Sequence, residues 1–213
     1  MIPPTTKAVA MRVTLRRARP VSLLLAPLLL IPALSGCINL GLGSTRTPPA
    51  LLTLTPDNAP VDGSIASGRP DTALTVLEPV AAAKLAVVRL PVAIDASRVA
   101  YLKQAQWVER PSRLFQHLLA ETLRARGKRL VIEGDGGSHG PVLSGRLIDF
   151  GYDAATHAAI ARLDATRQLP DGTIETRRFE SSVAQVNPEA GAVGAALNQA
   201  ANQVAKAVAD WVS

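Results

Sequence analysis

Four groups of side chains in this chain of 213 residues have the types and spacing to do chemistry. Ser138 lies in Gly136-Gly137-Ser138-His139-Gly140, which fits the Gly-x-Ser-x-Gly pattern of a hydrolase nucleophile and follows an apparent strand, Arg129–Gly134. Such a serine needs a strained strand-to-helix turn, with an acid and then a histidine further along the chain. Pro141 and "VLSGRLIDF" follow instead and read as another strand, and the one later histidine, His157, falls in a turn between strands. Ser138 therefore reads as part of a flexible turn of small residues. His117, His139 and His157 would suit a metal, but none has a second histidine at helical or turn spacing, so no metal site is expected. Trp107, Arg110 and Arg113, in "QWVERPSR", set a large aromatic beside two guanidinium groups, a composition enriched at binding hot spots. The plain alternative is that Trp107 packs in the core and the arginines cover its edges; Tyr101 carries the same ambiguity. Trp211 completes an apolar helical stripe, and its place near the C-terminus leaves a membrane contact open. The fourth group is Cys37 alone. It is the only cysteine, so an internal disulfide is excluded, and it sits immediately after an apolar run.

Charge explains that position. The formal net charge is +6, but Lys7, Arg12, Arg16, Arg17 and Arg19 all precede the apolar run and no acid does. Without residues 1–36, 18 of the 23 basic residues remain against 17 acidic ones, a net of +1. A nucleic-acid partner loses its main support, because phosphate binding needs a basic surface on the folded part. The leader has a basic start, "MRVTLRRARP", and an apolar stretch, "VSLLLAPLLLIPAL", shorter than the roughly 20 residues of a membrane span. Pro27 and Pro32 interrupt it further. Met1 and Met11 are both candidate starts, and Arg16-Arg17 is a weak hint of twin-arginine export. "LSGC" at Leu34–Cys37 resembles the lipobox of bacterial lipoproteins. The resemblance implies cleavage before Cys37, a diacylglyceryl group on its thiol and an acyl group on its new amino terminus. Several acyl chains give stable membrane attachment where one does not. Residue 38 is Ile rather than Asp, which in the enterobacterial sorting pattern implies the outer membrane, periplasmic face. No other cofactor is expected. "INLGLGSTRTPPA", Ile38–Ala50, reads as a tether.

The elements that must position these residues read as one α+β domain. Apolar residues make up 47% of the chain and aromatics 3%, so the core is built from small aliphatic side chains. "ALTVLEP" and "KLAVVRLPV" read as strands, and "PDNAPVDGSIASGRPD" before them as loop. "RVAYLKQAQWVERP" reads as one strand or two short ones leading into a helix, with Pro111 in its first turn. Leu114, Phe115, Leu118, Leu119 and Leu123 share one face of that helix, and Gly127 stops it. "KRLVIEG" returns as a strand. "VLSGRLIDFGYD" sets Ile148, Phe150 and Tyr152 on one side. "AAIARLDATRQL" alternates Ala159, Ala161, Leu163 and Ala165 against Arg162, Asp164 and Thr166. Asp171-Gly172 makes a hairpin turn into "IETRRFESSVAQV". Asn187 is the expected N-cap of a last helix and Pro188 its first residue, with Val193, Leu197, Val204, Val208 and Trp211 as its apolar stripe. The expected fold is a mostly antiparallel sheet with two helices packed on one face, preceded by a signal peptide and a flexible tether. Its divisions are a signal peptide over 1–36, a lipidated cysteine with tether and loop over 37–72, and a domain over 73–213.

"AYLKQAQWVERPSRLFQHLLAETLRARG" resembles the core of the ABC-type transport auxiliary lipoprotein component family, the PqiC-like group. The order of lipobox, "LLTLTP", "LAVVRLPVAID", this segment, a strand meander and a last helix matches as well. The loop at Asn58–Pro70 is longer than the family pattern. The resemblance implies a non-enzymatic subunit of a transport system that pairs an ABC transporter with MCE-domain proteins and moves phospholipid or another hydrophobic cargo. This chain would dock the periplasmic MCE protein at the outer membrane. Its candidate docking residues are Tyr101, Trp107, Arg110 and Arg113, and the family suggests a homo-oligomeric ring for at least some members. No P-loop pattern is present for ATP hydrolysis. The alternative is a lipoprotein that shields lipid itself, which requires an apolar cavity.

Overall fold

The structure, a computed structural model, describes residues 50–134, 140–169 and 171–212. The leader, Cys37, Ser138 and His139 lie outside the described residues. Among those described, no helix is long and apolar enough to cross a membrane.

Two helices form where the 3.6-residue period is clearest. Helix α1 spans Pro111–Ala125, with Arg110 extended before it and Pro111 in its first turn. It buries Leu114, Phe115, Leu118, Leu119 and Leu123. Gly127, at φ +63°, turns the chain out of the helix and bonds its N–H to the Arg124 carbonyl at 2.9 Å. Helix α2 spans Ala190–Val212. Its start corrects the sequence reading: the Val193 N–H donates to the Glu189 carbonyl and the Glu189 N–H to that of Asn187. The cap therefore falls two residues beyond Asn187, and Pro188 stays outside the helix. Val193, Leu197, Val204 and Val208 are buried as the stripe requires, joined by Ala200, Ala201, Ala205 and Ala209, whose small side chains let the helix lie close to the sheet.

The sheet has eight strands: β1 Leu74–Leu77, β2 Val80–Ala81, β3 Arg89–Ala93, β4 Val99–Gln106, β5 Val131–Gly134, β6 Val142–Asp153, β7 Ala158–Gln168 and β8 Ile174–Val183. Lys84 and Leu85, read as the start of a strand, lie in a short 3-10 turn, Ala83–Leu85, so β3 begins only at Arg89. The β6, β7 and β8 meander is antiparallel along its whole length. The other flank of β6 is shared by β1, β2 and β3, all parallel to it. β4 closes one end, antiparallel to β3, and β5 another, parallel to β1.

Alternation along β7 holds as read: Ala159, Ala161, Leu163 and Ala165 are buried. Along β6 it changes phase. The register with β7 shifts between Leu147 and Asp149, a β-bulge that adds one residue and moves the inward face from odd to even positions. Leu143 and Leu147 are buried before it, Phe150 and Tyr152 after it. Ile148, expected beside Phe150 and Tyr152, is the extra residue and is only half-buried. Aromatic rings meet at this point of the core: Trp107 stacks on Phe150 at 5.1 Å, and Phe115 meets Phe150 edge-on at 5.2 Å.

Residues before the first strand also touch the body. The Leu52 N–H donates to the Gln106 carbonyl and the Val108 N–H to that of Leu52, and Leu52 and Leu54 pack on the core. Asn202, buried in α2, accepts the Asp57 N–H and donates to the Thr55 carbonyl.

Candidate functional site

The surface at the start of α1 gathers residues from the end of β1, the loop before α1, α1 itself and β5. Arg110 and Arg113 are more than half exposed; Arg110 lies 3.5 Å from Glu78, just beyond β1, and Arg113 3.4 Å from Glu109. Ser112, buried in the first helical turn, donates to Glu78 at 2.6 Å. One turn on, His117 faces Glu109 at 3.9 Å and contacts Glu133 of β5 through Nδ1; two turns beyond His117, Arg124 bridges Glu121 and Glu133 at 2.7 and 2.8 Å. Partial burial works against the charge of Arg124, yet its bonds to Glu121 and Glu133 outweigh that and raise its pKa above the usual arginine value. Buried Gln116 donates to the Val76 and Gly134 carbonyls, tying α1 to the ends of β1 and β5. Between these residues lies a groove of about 410 Å³, bordered by Glu78, Arg113, Gln116 and Glu133. Its paired charges of both signs suit recognition of another polar surface.

The predicted residues divide between two settings. Arg113 borders this groove, and Arg110 stands beside it, paired with Glu78. Tyr101 sits on β4, half-buried, with the Arg89 guanidinium 3.9 Å over its ring. Trp107 is 1% exposed, so it is a core residue and offers no surface anchor; its Nε1 is buried without a hydrogen-bond partner. Trp211 is half-buried, between Phe179 at 5.6 Å and the Arg167 guanidinium at 4.5 Å. His157 pairs through Nδ1 with the Tyr152 hydroxyl at 3.1 Å, and that hydroxyl donates to the Val186 carbonyl. Among the described residues, no three metal-ligating side chains come together. Glu78, Glu109, Gln116 and Glu133 were not singled out from sequence. Glu109, Arg113 and His117 do stand at i, i+4 spacing, which marks one helical face; Glu78 and Glu133 join them only through the sheet.

A second polar region covers the sheet face turned away from the helices. Here Asp149 binds both Lys84 and Arg162, Arg162 binds Glu180 at 2.6 Å, and Asp164 binds Arg178 at 2.6 Å. The Arg178 hydrogen bond holds the Asp164 carboxyl below its ordinary pKa, and the Arg162 hydrogen bond does the same for Glu180. Two shallow sites open on this face: a groove of about 420 Å³ bordered by Glu78, Val80, Arg146, Asp164 and Thr176, and a cavity of about 130 Å³ bordered by Lys84, Val99, Asp149, Ile160 and Arg162.

The described residues thus form a two-helix α+β body with a polar open sheet face and a charge-paired groove. The family model of the ABC-type transport auxiliary lipoprotein component matches residues 52–209, and the chain belongs to that family. Protein XCC0632 from Xanthomonas campestris, of family DUF330, is similar in structure at a TM-score of 0.65 and 21% identity, over 76% of this chain and 94% of that one. The crystal structure of an uncharacterized protein aligns at 0.59 and 16% identity, over 67% and 92% of the two chains. The PelC dodecamer from Paraburkholderia phytofirmans aligns at only 0.40 and 10% identity, over 70% and 91%, too distant a likeness to argue from. Comparison with curated proteins finds no match.

Proposed function

We propose that this chain is a non-enzymatic adaptor, anchored by lipid on Cys37 at the periplasmic face of the outer membrane, that docks an MCE-domain protein of an ABC-type system carrying phospholipid or other hydrophobic cargo. The observation that carries this reading is the family match, which runs from Leu52, at the start of the folded body, to Ala209 in the last helix. The groove at the start of α1 supports it, because Arg110, Arg113, Glu78 and Glu109 offer paired charges at a surface. Complementary charge of this kind sets orientation and partner choice in protein docking. The lipid-shielding alternative is less well supported. Ligand sites for apolar molecules are lined mainly by hydrophobic side chains, whereas the two larger grooves are bordered by Glu78, Arg113, Glu133, Arg146 and Asp164.

Gentle extraction of the tagged full chain, followed by mass spectrometry of what co-purifies, tests the adaptor. An MCE-domain protein is expected with the wild type and also with Cys37→Ala, since docking belongs to the folded body. Its recovery should fall in Arg110→Glu/Arg113→Glu. Repeated absence of transport components from intact, abundant protein would turn the reading toward a lipid carrier. Metabolic labelling with a fatty acid, lost in Cys37→Ala, tests the anchor separately.

A further inference from the structure

We infer that the end of the body where both helices stop rests on a phospholipid surface, with the groove at the start of α1 turned away from it. The inference builds on the lipid anchor proposed at Cys37, which keeps such a surface within reach. Three segments meet at this end. Arg126, just past α1, binds Asp210, and the Arg129 guanidinium donates to the Val212 carbonyl at 3.4 Å. The hairpin from Gln168 to Ile174 joins through Arg167, which donates to the Trp211 carbonyl and lays its guanidinium 4.5 Å over the Trp211 ring. The third segment is the long loop before β1. It leaves α2 where the Asp57 N–H bonds to Asn202. It returns at Gly68, packed so closely on Leu130 that an added Cβ would come within 2.9 Å of it.

These segments expose both apolar and charged groups. In the loop, a turn closed by the Ser64 N–H on the Val61 carbonyl, with Gly63 at φ +78°, presents Val61 and Ile65 at 80% and 93% exposure. Ile174 is exposed at the hairpin, and Trp211 is half-buried near it. An indole packed on one side and open on the other is the form that settles among lipid headgroups. Among the described residues, exposed Lys128 and Arg129 belong to no ion pair, which leaves them for phosphates; Asp62 and Asp171 are left in the same way for ammonium groups. At the start of α1, by contrast, Arg110 and Arg113 each have a carboxylate partner. None of the three grooves described above reaches this end, so it offers protruding apolar tips rather than a cleft for another protein. Distances agree with the orientation. Helix α1 has 15 residues, which sets the groove at its start roughly 22 Å from this end. Leu52 bonds beside Trp107, just past the left-handed Gln104 at φ +57°, and packs on Gly194, about 27 Å of helix from Val212. The 12 residues between Cys37 and Ala50 reach up to about 40 Å when extended, more than that length.

The chain has two tryptophans, and they report the contact directly. The protein, extracted from its membrane with Cys37 unchanged, is reconstituted into vesicles of phosphatidylethanolamine with a minor share of phosphatidylglycerol. Bromine atoms on the acyl chains quench an indole that lies at the bilayer. Brominated lipids should dim the wild type, and Trp211→Phe, which keeps only the core residue Trp107, should dim at least about threefold less. Ile65→Asp/Ile174→Asp should lose most of the quenching, with circular dichroism checking that the fold is kept. Flotation with the vesicles reads the anchor by itself: protein that stays at the bottom of the gradient overturns the anchor, and this orientation with it. In floating, folded protein, three results overturn the orientation alone. They are no quenching, as when another chain covers this end; equal quenching of wild type and Trp211→Phe; and quenching indifferent to Ile65→Asp/Ile174→Asp.

Discussion

β4 and β8 both end the sheet, and they do so in opposite ways. β4 runs from Tyr101 to Gln106 while its partner advances only from Arg89 to Pro91, so the strand is thrown into a bulge around Gln104. Its far end is then covered, with Leu52 bonded on either side of Trp107 and Trp107 itself sunk against Phe150. β8 keeps a regular ladder, and its even-numbered residues stay in water with charges paired to β7. The irregular edge is held by burial, the regular one by exposed electrostatics. Burial is worth several times more, so the two edges should respond very differently to the same kind of change.

The largest effect is expected where β4 meets the core. Trp107→Ala should lower stability by about 3–5 kcal/mol, while Ile174→Ala at the start of β8, where Ile174 is 65% exposed, should stay within about 0.5 kcal/mol. Denaturant melts of the two variants measure both, and similar losses would break the contrast. Next is Asn202→Ala, which leaves the Asp57 N–H and Thr55 carbonyl without their partner in α2. It should cost about 1–2 kcal/mol and speed hydrogen exchange at Asp57. Unchanged exchange there would mean that the stretch leading from Leu52 is not held by α2. Smaller still is the bulge. Gln104→Gly removes the side-chain penalty of a left-handed residue and should gain up to about 1 kcal/mol, whereas Gln104→Val should lose about as much.

The smallest effect belongs to β8 and depends on pH. Asp164 and Glu180 have pKa values lowered in the folded state by Arg178 and Arg162. Their contribution is therefore fully present above the unfolded carboxyl values near pH 4 and is lost as pH falls through the lower folded ones. Both pairs meet solvent, so the loss should be only a few tenths of a kcal/mol. Comparing thermal midpoints of wild type and Asp164→Asn at neutral and acid pH measures it: the acid-induced drop should be smaller in the variant.

Much of this body was legible from pattern. The stripe from Leu114 to Leu123 and the alternation from Ala159 to Ala165 specify a helix and a strand because burial on one side imposes a period on the chain. Pro111, Gly127 and Asp171-Gly172 mark boundaries because their backbone preferences are local. The candidate site was half legible. Arg110 and Arg113 stand out by type, and Glu109 by spacing, but Trp107 carried the same signature at the surface as in the core, since a large ring beside arginines serves either place.

By itself, then, the sequence determined the periods, the turns, the basic start and apolar run that precede Cys37, and the balance of charge once residues 1–36 are set aside, all properties of neighbours along the chain. Tertiary structure alone decided that Trp107 is covered, that Glu78 and Glu133 meet the arginines and histidine of α1, that Ile148 is the extra residue of a bulge, and that β8 is left as a regular open edge. Each of those depends on which strands lie side by side, and pairing between distant segments is set by the packing of the whole core rather than by any local run of residues.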